Sequence, residues 1–281
     1  IYYQTQTNGL YRAKIMAQLQ DKKIVIIGGT TGMGFSAAKA FVQEGAHVVV
    51  VGRNEQSVAN AAEQLGNSAL AVSGDATQPD TANRAIDLCI ERFGGFDGIY
   101  HVAGGSGRNM GDGPLHGLSL EGWNWTLNMN LTSLMLSNQA AVQHFLAMKK
   151  GGTILNMGSV LGFSPSPEHF STHGYAAAKS AIIGFSKSIA AFYSKDNIRV
   201  NVIAPALVET PMAQRAANNP EILSFIRSKQ PLDGGRIGRP DDCDGLALYF
   251  MSDQSRFTTG QVVAVDGDWS VSTPKTLNYQ H

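Results

Sequence analysis

The sequence predicts an α/β fold: a doubly wound parallel sheet of about seven strands with helices on both faces. Three observations predict it. Short apolar runs alternate with amphipathic stretches at roughly 20–30 residue spacing. Glycines gather where those runs end, among 31 in the chain. The first run also passes straight through a glycine turn into a helical stretch.

At 281 residues the chain fits one large domain. Twenty-two basic residues balance twenty-two acidic ones, so no charge excess points to nucleic acid or a lipid surface. The apolar runs fall well short of the roughly 20 residues that cross a bilayer. Two cysteines, Cys89 and Cys243, lie far apart in helix-like segments. A disulfide framework or metal site is not expected, and a cytoplasmic location is. Residues 1–20 stand apart, with no apolar core for a signal peptide. Met16 reads as a native start, leaving the residues before it as a cloning remnant, an extension or a docking arm. The catalytic domain is expected over 21–281.

The elements follow in order. Ile24–Ile27 is a buried strand that runs into Gly28-Gly-Thr-Thr-Gly32-Met-Gly34 and then a helix, Phe35–Glu44, closed by Gly45. Strand, glycine turn and helix let a pyrophosphate approach the backbone, where the helix N-terminus favours its charge. The alternative is a tight turn that holds no ligand. His47–Val51 is the second strand. No carboxylate ends it; Arg53 stands there instead and suits a 2′-phosphate, favouring NADP(H) over NAD(H). Ser68–Ser73 is the third strand. Asp75 beyond it either accepts from an adenine amino group or caps the next helix, Asp80–Phe93.

Gly98–Val102 is the fourth strand and leads into Ala103-Gly104-Gly105. The polar, glycine-rich stretch 106–118 is expected as an exposed loop at the mouth of the site. Leu120–Met148 reads as one long apolar helix with Asn128 and Asn130 inside it. A buried mid-helix asparagine holds a water or a backbone group. Thr153–Met157 is the fifth strand and delivers Ser159 at its carboxyl end.

Gly174–Phe192 is helical, with Ala178, Ile182, Phe185 and Ile189 recurring on one face. Tyr175 and Lys179 stand one turn apart on the same side. A phenol beside an ammonium is an acid/base device, since a fixed positive charge in a poorly solvated site stabilises phenolate. An accidental contact on an ordinary amphipathic helix is the alternative. The small residues Ala177, Ala181, Gly184 and Ser188 share another face and point to packing between subunits.

Taken together, these motifs resemble the short-chain dehydrogenase/reductase family, in particular its 3-oxoacyl-carrier-protein-reductase-like branch. The resemblance is carried by Gly28-x-x-x-Gly32-x-Gly34, Asp75, Ala103-Gly104, Asn130, Ser159, Tyr175-x-x-x-Lys179 and Asn201–Pro205. Val208–Met212, Gly235–Pro240 and Thr259–Gly267 complete it, so the likeness runs from about Lys22 to Trp269. It implies a single-domain Rossmann fold that interconverts a small-molecule carbonyl and a secondary alcohol by hydride transfer. Tyr175 would be the general acid/base. Lys179 would bind the nicotinamide ribose and lower the tyrosine pKa, Ser159 would hold the substrate oxygen, and Asn130 would hold a relay water. The dinucleotide would lie on Gly28, Thr30, Gly32, Met33, Gly34, Arg53, Asp75, Ala76, Ala103, Gly104, Pro205, Val208 and Thr210, besides Tyr175 and Lys179. Residues 210–230 would form a substrate lid, and the assembly would be a homotetramer. An NAD(H)-dependent dehydrogenase and a catalytically silent dinucleotide sensor or structural subunit are the competing readings.

Four features depart from the family pattern. Ile27 replaces a threonine, His101-Val102 replaces a pair of asparagines, and Ala206 follows Pro205 in place of glycine. The segment 163–173 is about three residues longer than usual. It is expected to shape specificity, with His169 as a candidate substrate contact and no metal role for its histidines. Met110, Leu161, Phe163, Phe170, Leu207 and Met212 are expected to give the pocket a partly apolar lining.

Overall fold

The computed structural model describes residues 17–273. Its centre is a sheet of seven parallel strands in the order β3-β2-β1-β4-β5-β6-β7. The strands are β1 (Lys23–Ile27), β2 (His47–Gly52), β3 (Ala69–Ser73), β4 (Gly98–His101), β5 (Gly152–Met157), β6 (Ile198–Pro205) and β7 (Val262–Val265). Val25 pairs with Val49 on one side and Ile99 on the other. Strand β1 is apolar at successive positions because both of its faces are covered. Ile24 and Ile26 pack with Val48, Val50, Tyr100 and Leu155. Val25 and Ile27 pack with Val49, Val51, Ile99 and Ile154 on the opposite face.

Helices α1 (Gly32–Gln43), α2 (Glu55–Leu65) and α9 (Asp244–Met251) cover the first face through Ala37, Phe41, Leu65 and Phe250. Helices α3 (Asp80–Phe93), α5 (Ser133–Ala147) and α6 (His173–Tyr193) cover the second through Ile86, Cys89, Phe145 and Ala190. The connections therefore leave β1 and β4 toward opposite edges. In an open sheet of this kind that reversal is where ligands are expected, at the carboxyl edge.

Beyond shifts of a residue at several ends, three elements differ from the sequence reading. Helix α1 starts at Gly32 rather than Phe35, because Phe35 N–H already donates to Thr31 O at 3.2 Å. Residues 66–68 form a 3₁₀ turn before β3. The long helix expected over Leu120–Met148 is α4 (Leu120–Leu127), a π-helical turn over Asn128–Thr132, and α5. Residues 1–16, the greater part of the extension expected over 1–20, lie outside the described residues. Leu19 is fully buried in the core, and Leu19 N–H donates to Glu44 O at 3.0 Å. No described helix is long and apolar enough to cross a membrane.

Candidate active site

The glycine turn after β1 is shaped by close backbone approach. Gly28 takes φ +85°, and a Cβ there would stand 2.6 Å from Ala103 N. A Cβ at Gly34 would overlap the carbonyl oxygen of Gly28, and one at Gly32 would press on Thr210. These positions need glycine, and the concave backbone they leave fits a dinucleotide pyrophosphate. Ile27, where the family has threonine, still joins the neighbouring turn through its backbone. Its carbonyl accepts from Val102 N at 2.8 Å and Ala103 N at 2.9 Å, tying the two turns together.

Around this turn, Thr30 is buried and its hydroxyl pairs with Ser57 Oγ at 3.2 Å. Arg53 is exposed just past β2. Asp75 does not cap α3; its Oδ1 accepts from Thr77 N and Thr77 Oγ1, both at 2.9 Å. Ala76 is buried behind that turn.

A cavity of about 450 Å³ lies at the carboxyl ends of the central strands. Met33, Gly104, Asn130, Ser159, Tyr175, Lys179, Pro205, Val208 and Thr210 all line it. Residues spread over 177 positions of sequence thus meet at one crevice. Gly28, Thr30, Gly32, Gly34, Arg53, Asp75, Ala76 and Ala103 do not line the cavity itself; they belong to the turns beyond β1, β2, β3 and β4.

Helix α6 carries the central pair. Its N-terminus is fixed by Asp112, which accepts from Gly174 N and Tyr175 N at 2.8 Å each and from Thr126 Oγ1 at 3.3 Å. Asp112 is 2% exposed, although the stretch 106–118 was expected to be an exposed loop. The sequence carried no local signal for this cap, because donor and acceptor lie 62 residues apart. Lys179 is buried and donates to Met157 O at 2.9 Å. Burial lowers its pKa to about 8.

The expected lowering of the Tyr175 pKa by Lys179 is not found. Burial pushes the phenol up to about 12, opposed by the Ser159 hydroxyl beside it. The physical reason is desolvation: the packed crevice penalises the charged phenolate, while the Lys179 ammonium is bonded to the backbone of β5.

Asn130 reaches the site through the π turn, a device that re-aims one side chain without ending the helix. Its Nδ2 donates to Gly105 O at 2.8 Å and Thr126 O at 2.9 Å, and its Oδ1 accepts from Gly105 N at 3.1 Å. The expected backbone group is therefore Gly105. One lone pair of Oδ1 stays available beside Gly104.

His101 occupies the departure from the family pattern and still braces the central strand. Nε2 faces the Ala103 carbonyl at 3.0 Å, which only accepts, so the proton sits on Nε2. Nδ1 then accepts from Ser137 Oγ on α5 at 2.9 Å. Burial, followed by the charge of Lys179, lowers the His101 pKa to about 3, so the ring is neutral.

Helices α7 (Gln214–Ala217) and α8 (Pro220–Lys229) form the segment expected as a lid, and Met212, Arg215 and Ala216 line the cavity. Of the expected apolar lining, Leu161, Phe170, Leu207 and Met212 are present, whereas Met110 and Phe163 are not. The His169 ring is not a cavity wall. It packs against Phe225 at 5.2 Å and Phe170 at 6.4 Å, so its place in the longer segment is structural. Trp269, unremarked as a site residue in the sequence, also lines the cavity; its Nε1 donates to Ser164 O at 3.1 Å. No His/Cys/Asp/Glu cluster able to hold a metal occurs among the described residues.

Comparison with known proteins places this arrangement. The family described as Enoyl-(Acyl carrier protein) reductase matches residues 28–270. The chain is 32% identical over 257 residues to 2,5-dichloro-2,5-cyclohexadiene-1,4-diol dehydrogenase LinX of Sphingobium indicum, covering 90% of this chain and 98% of the relative. It is 33% identical over 253 residues to the 3-oxoacyl-[acyl-carrier-protein] reductase FabG of Chlamydia muridarum, covering 89% and 97%. A solved short-chain type dehydrogenase/reductase from Mycobacterium ulcerans superposes with a TM-score of 0.83 at 28% identity, covering 92% of each chain. With that sheet order, glycine cradle and crevice, the chain belongs to the short-chain dehydrogenase/reductase family and is an NAD(P)-dependent oxidoreductase of CH–OH and C=O groups.

Proposed function

We propose that the protein reduces a carbonyl to a secondary alcohol, or runs the reverse reaction, with NADP(H) as cofactor and Tyr175 as the general acid/base. The observation that carries this reading is the convergence of Asn130, Ser159, Tyr175 and Lys179 on the cavity that the glycine turn borders. Bound at that turn, the nicotinamide dinucleotide supplies or accepts the hydride. Ser159 holds the substrate oxygen beside the phenol. With its pKa raised to about 12, Tyr175 is protonated at neutral pH, the form that donates a proton to a carbonyl oxygen. Lys179 orients the nicotinamide ribose from its anchor on Met157 O. Asn130, fixed by Gly105, offers its free lone pair to a water that passes protons onward. Val208 and Thr210 hold the carboxamide from the facing wall.

Arg53, exposed where β2 ends, is assigned with Thr30 to an adenosine 2′-phosphate. The two buried free cysteines suit a reducing, cytoplasmic setting. Ala177, Ala181, Gly184 and Ser188 leave a shallow face on α6, with open space over Gly184, which suits a homotetramer. The description of the matching family favours a second reading, reduction of a carbon–carbon double bond in an enoyl thioester.

The test is NADPH consumption by wild type and Tyr175→Phe with panels of ketones and enoyl thioesters. Ketone turnover is expected, falling by about 10³-fold in the variant while NADPH binding survives. A wild type that binds NADPH yet turns over no ketone, or a variant as active as wild type, would sink the proposal.

A further inference from the structure

Two guanidiniums converge at the mouth of the cavity. Arg108 stands in the loop after β4 and Arg215 on α7, 107 positions later in sequence. Both donate through Nη2 to one oxygen, the carbonyl of His169, at 3.4 Å and 3.2 Å. Both also line the cavity.

Like charges brought this close repel, and a single shared carbonyl does little to offset that. Burial, followed by the charge of Arg215, lowers the Arg108 pKa, and the charge of Asp112 opposes them. Among the described residues, neither guanidinium is in an ion pair. The carboxylates of Asp112 and Glu168 make their closest contacts with other groups. Both oxygens of Asp112 accept from Gly174, Tyr175 and Thr126. Glu168 faces the His169 ring, 3.9 Å from Nε2. Two planar cations outside any ion pair, both lining the cavity, form a receptor for a planar anion.

We infer that the substrate bears a carboxylate, held between Arg108 and Arg215, with an apolar body against Leu161, Phe170 and Met212 and its carbonyl facing Tyr175. The placement of the reacting carbonyl rests on the oxidoreductase proposal; recognition of the carboxylate rests on the two arginines alone. The segment 163–173 then acts on specificity through its backbone, because the His169 carbonyl sets the spacing of the two guanidiniums.

The experiment is equilibrium binding by calorimetry to the NADP⁺-loaded protein, using 4-acetylbenzoate and its methyl ester. Wild type is expected to bind the acid at least about tenfold more tightly than the ester. Raising the salt should weaken the acid far more than the ester. In Arg215→Gln, a change at an exposed position, the acid/ester ratio should shrink. In the Arg108→Gln/Arg215→Gln double variant it should approach one. Equal binding of acid and ester by wild type, a ratio that survives in the double variant, or no binding of either probe would overturn the inference. Tyr175→Phe separates the two proposals, since it leaves both arginines in place and should keep the wild-type ratio. A protein that discriminates acid from ester but turns over no ketone would sink the oxidoreductase proposal alone. Turnover of ketones without that discrimination would sink only the carboxylate site.

Discussion

Lys179 donates its ammonium to the carbonyl oxygen of Met157 across 2.9 Å, joining helix α6 to the last residue of strand β5. The bond fixes the only cation buried beside Tyr175 among the described residues, and it does so at the strand tips where the cofactor is expected. The same burial opposes the charge. Position and stability are therefore in tension at this residue.

Lys179→Met makes that tension measurable. Lysine is protonated up to about 10.5 in the unfolded chain but only to about 8 in the folded one. Between those values the unfolded state binds more protons, so the stability of wild type rises with pH relative to the variant, by of order 3 kcal/mol across the window. Below pH 8 the variant should be at least as stable as wild type, while ketone reduction falls by about 10²-fold or more. Urea denaturation at pH 7.5 and 10, with steady-state kinetics, checks both. A large loss of stability at pH 7.5 would show the ammonium to be a net structural asset.

His101→Asn concerns the acid side. In the folded protein the imidazole stays neutral down to about 3, whereas free histidine takes a proton near 6.5. The unfolded state binds the extra proton in between, so wild type loses stability as pH falls below 6.5, by up to about 1.4 kcal/mol per unit. The asparagine variant should lack this slope. Melting temperatures measured from pH 7 to pH 4.5 will converge or cross if this is right, and will run parallel if it is not.

Asp112→Ala removes the acceptor for the Gly174 and Tyr175 N–H groups in the first turn of α6. A lost cap together with unsatisfied buried donors should cost about 2–4 kcal/mol. Asp112→Asn keeps one acceptor oxygen and should lie between. Chemical denaturation gives the stability. If the cap also positions the phenol, kcat falls more than KM rises in both variants.

Arg53→Asp tests the cofactor assignment. A carboxylate at the end of β2 would accept from a ribose diol and repel a 2′-phosphate. The ratio of kcat/KM for NADPH over NADH should drop by about tenfold or more. An unchanged ratio would remove Arg53 from the site.

Much of this protein could be read along the chain because its signals are local. Apolar runs alternating with amphipathic ones dictate strands covered on both faces, and Gly28, Gly32 and Gly34 announce a backbone that must approach something closely. The spacing of Tyr175 and Lys179 puts both on one helical face regardless of what surrounds them. Tertiary structure decided what depends on distant partners. It set the acidity of Tyr175, because desolvation is a property of the packed crevice and outweighs the hydrogen bond from Ser159. It turned a loop aspartate into the cap of α6 and packed the His169 ring on Phe225, away from the cavity. It also brought Arg108 and Arg215 to a single carbonyl, an encounter that no stretch of sequence holds because charge acts through space.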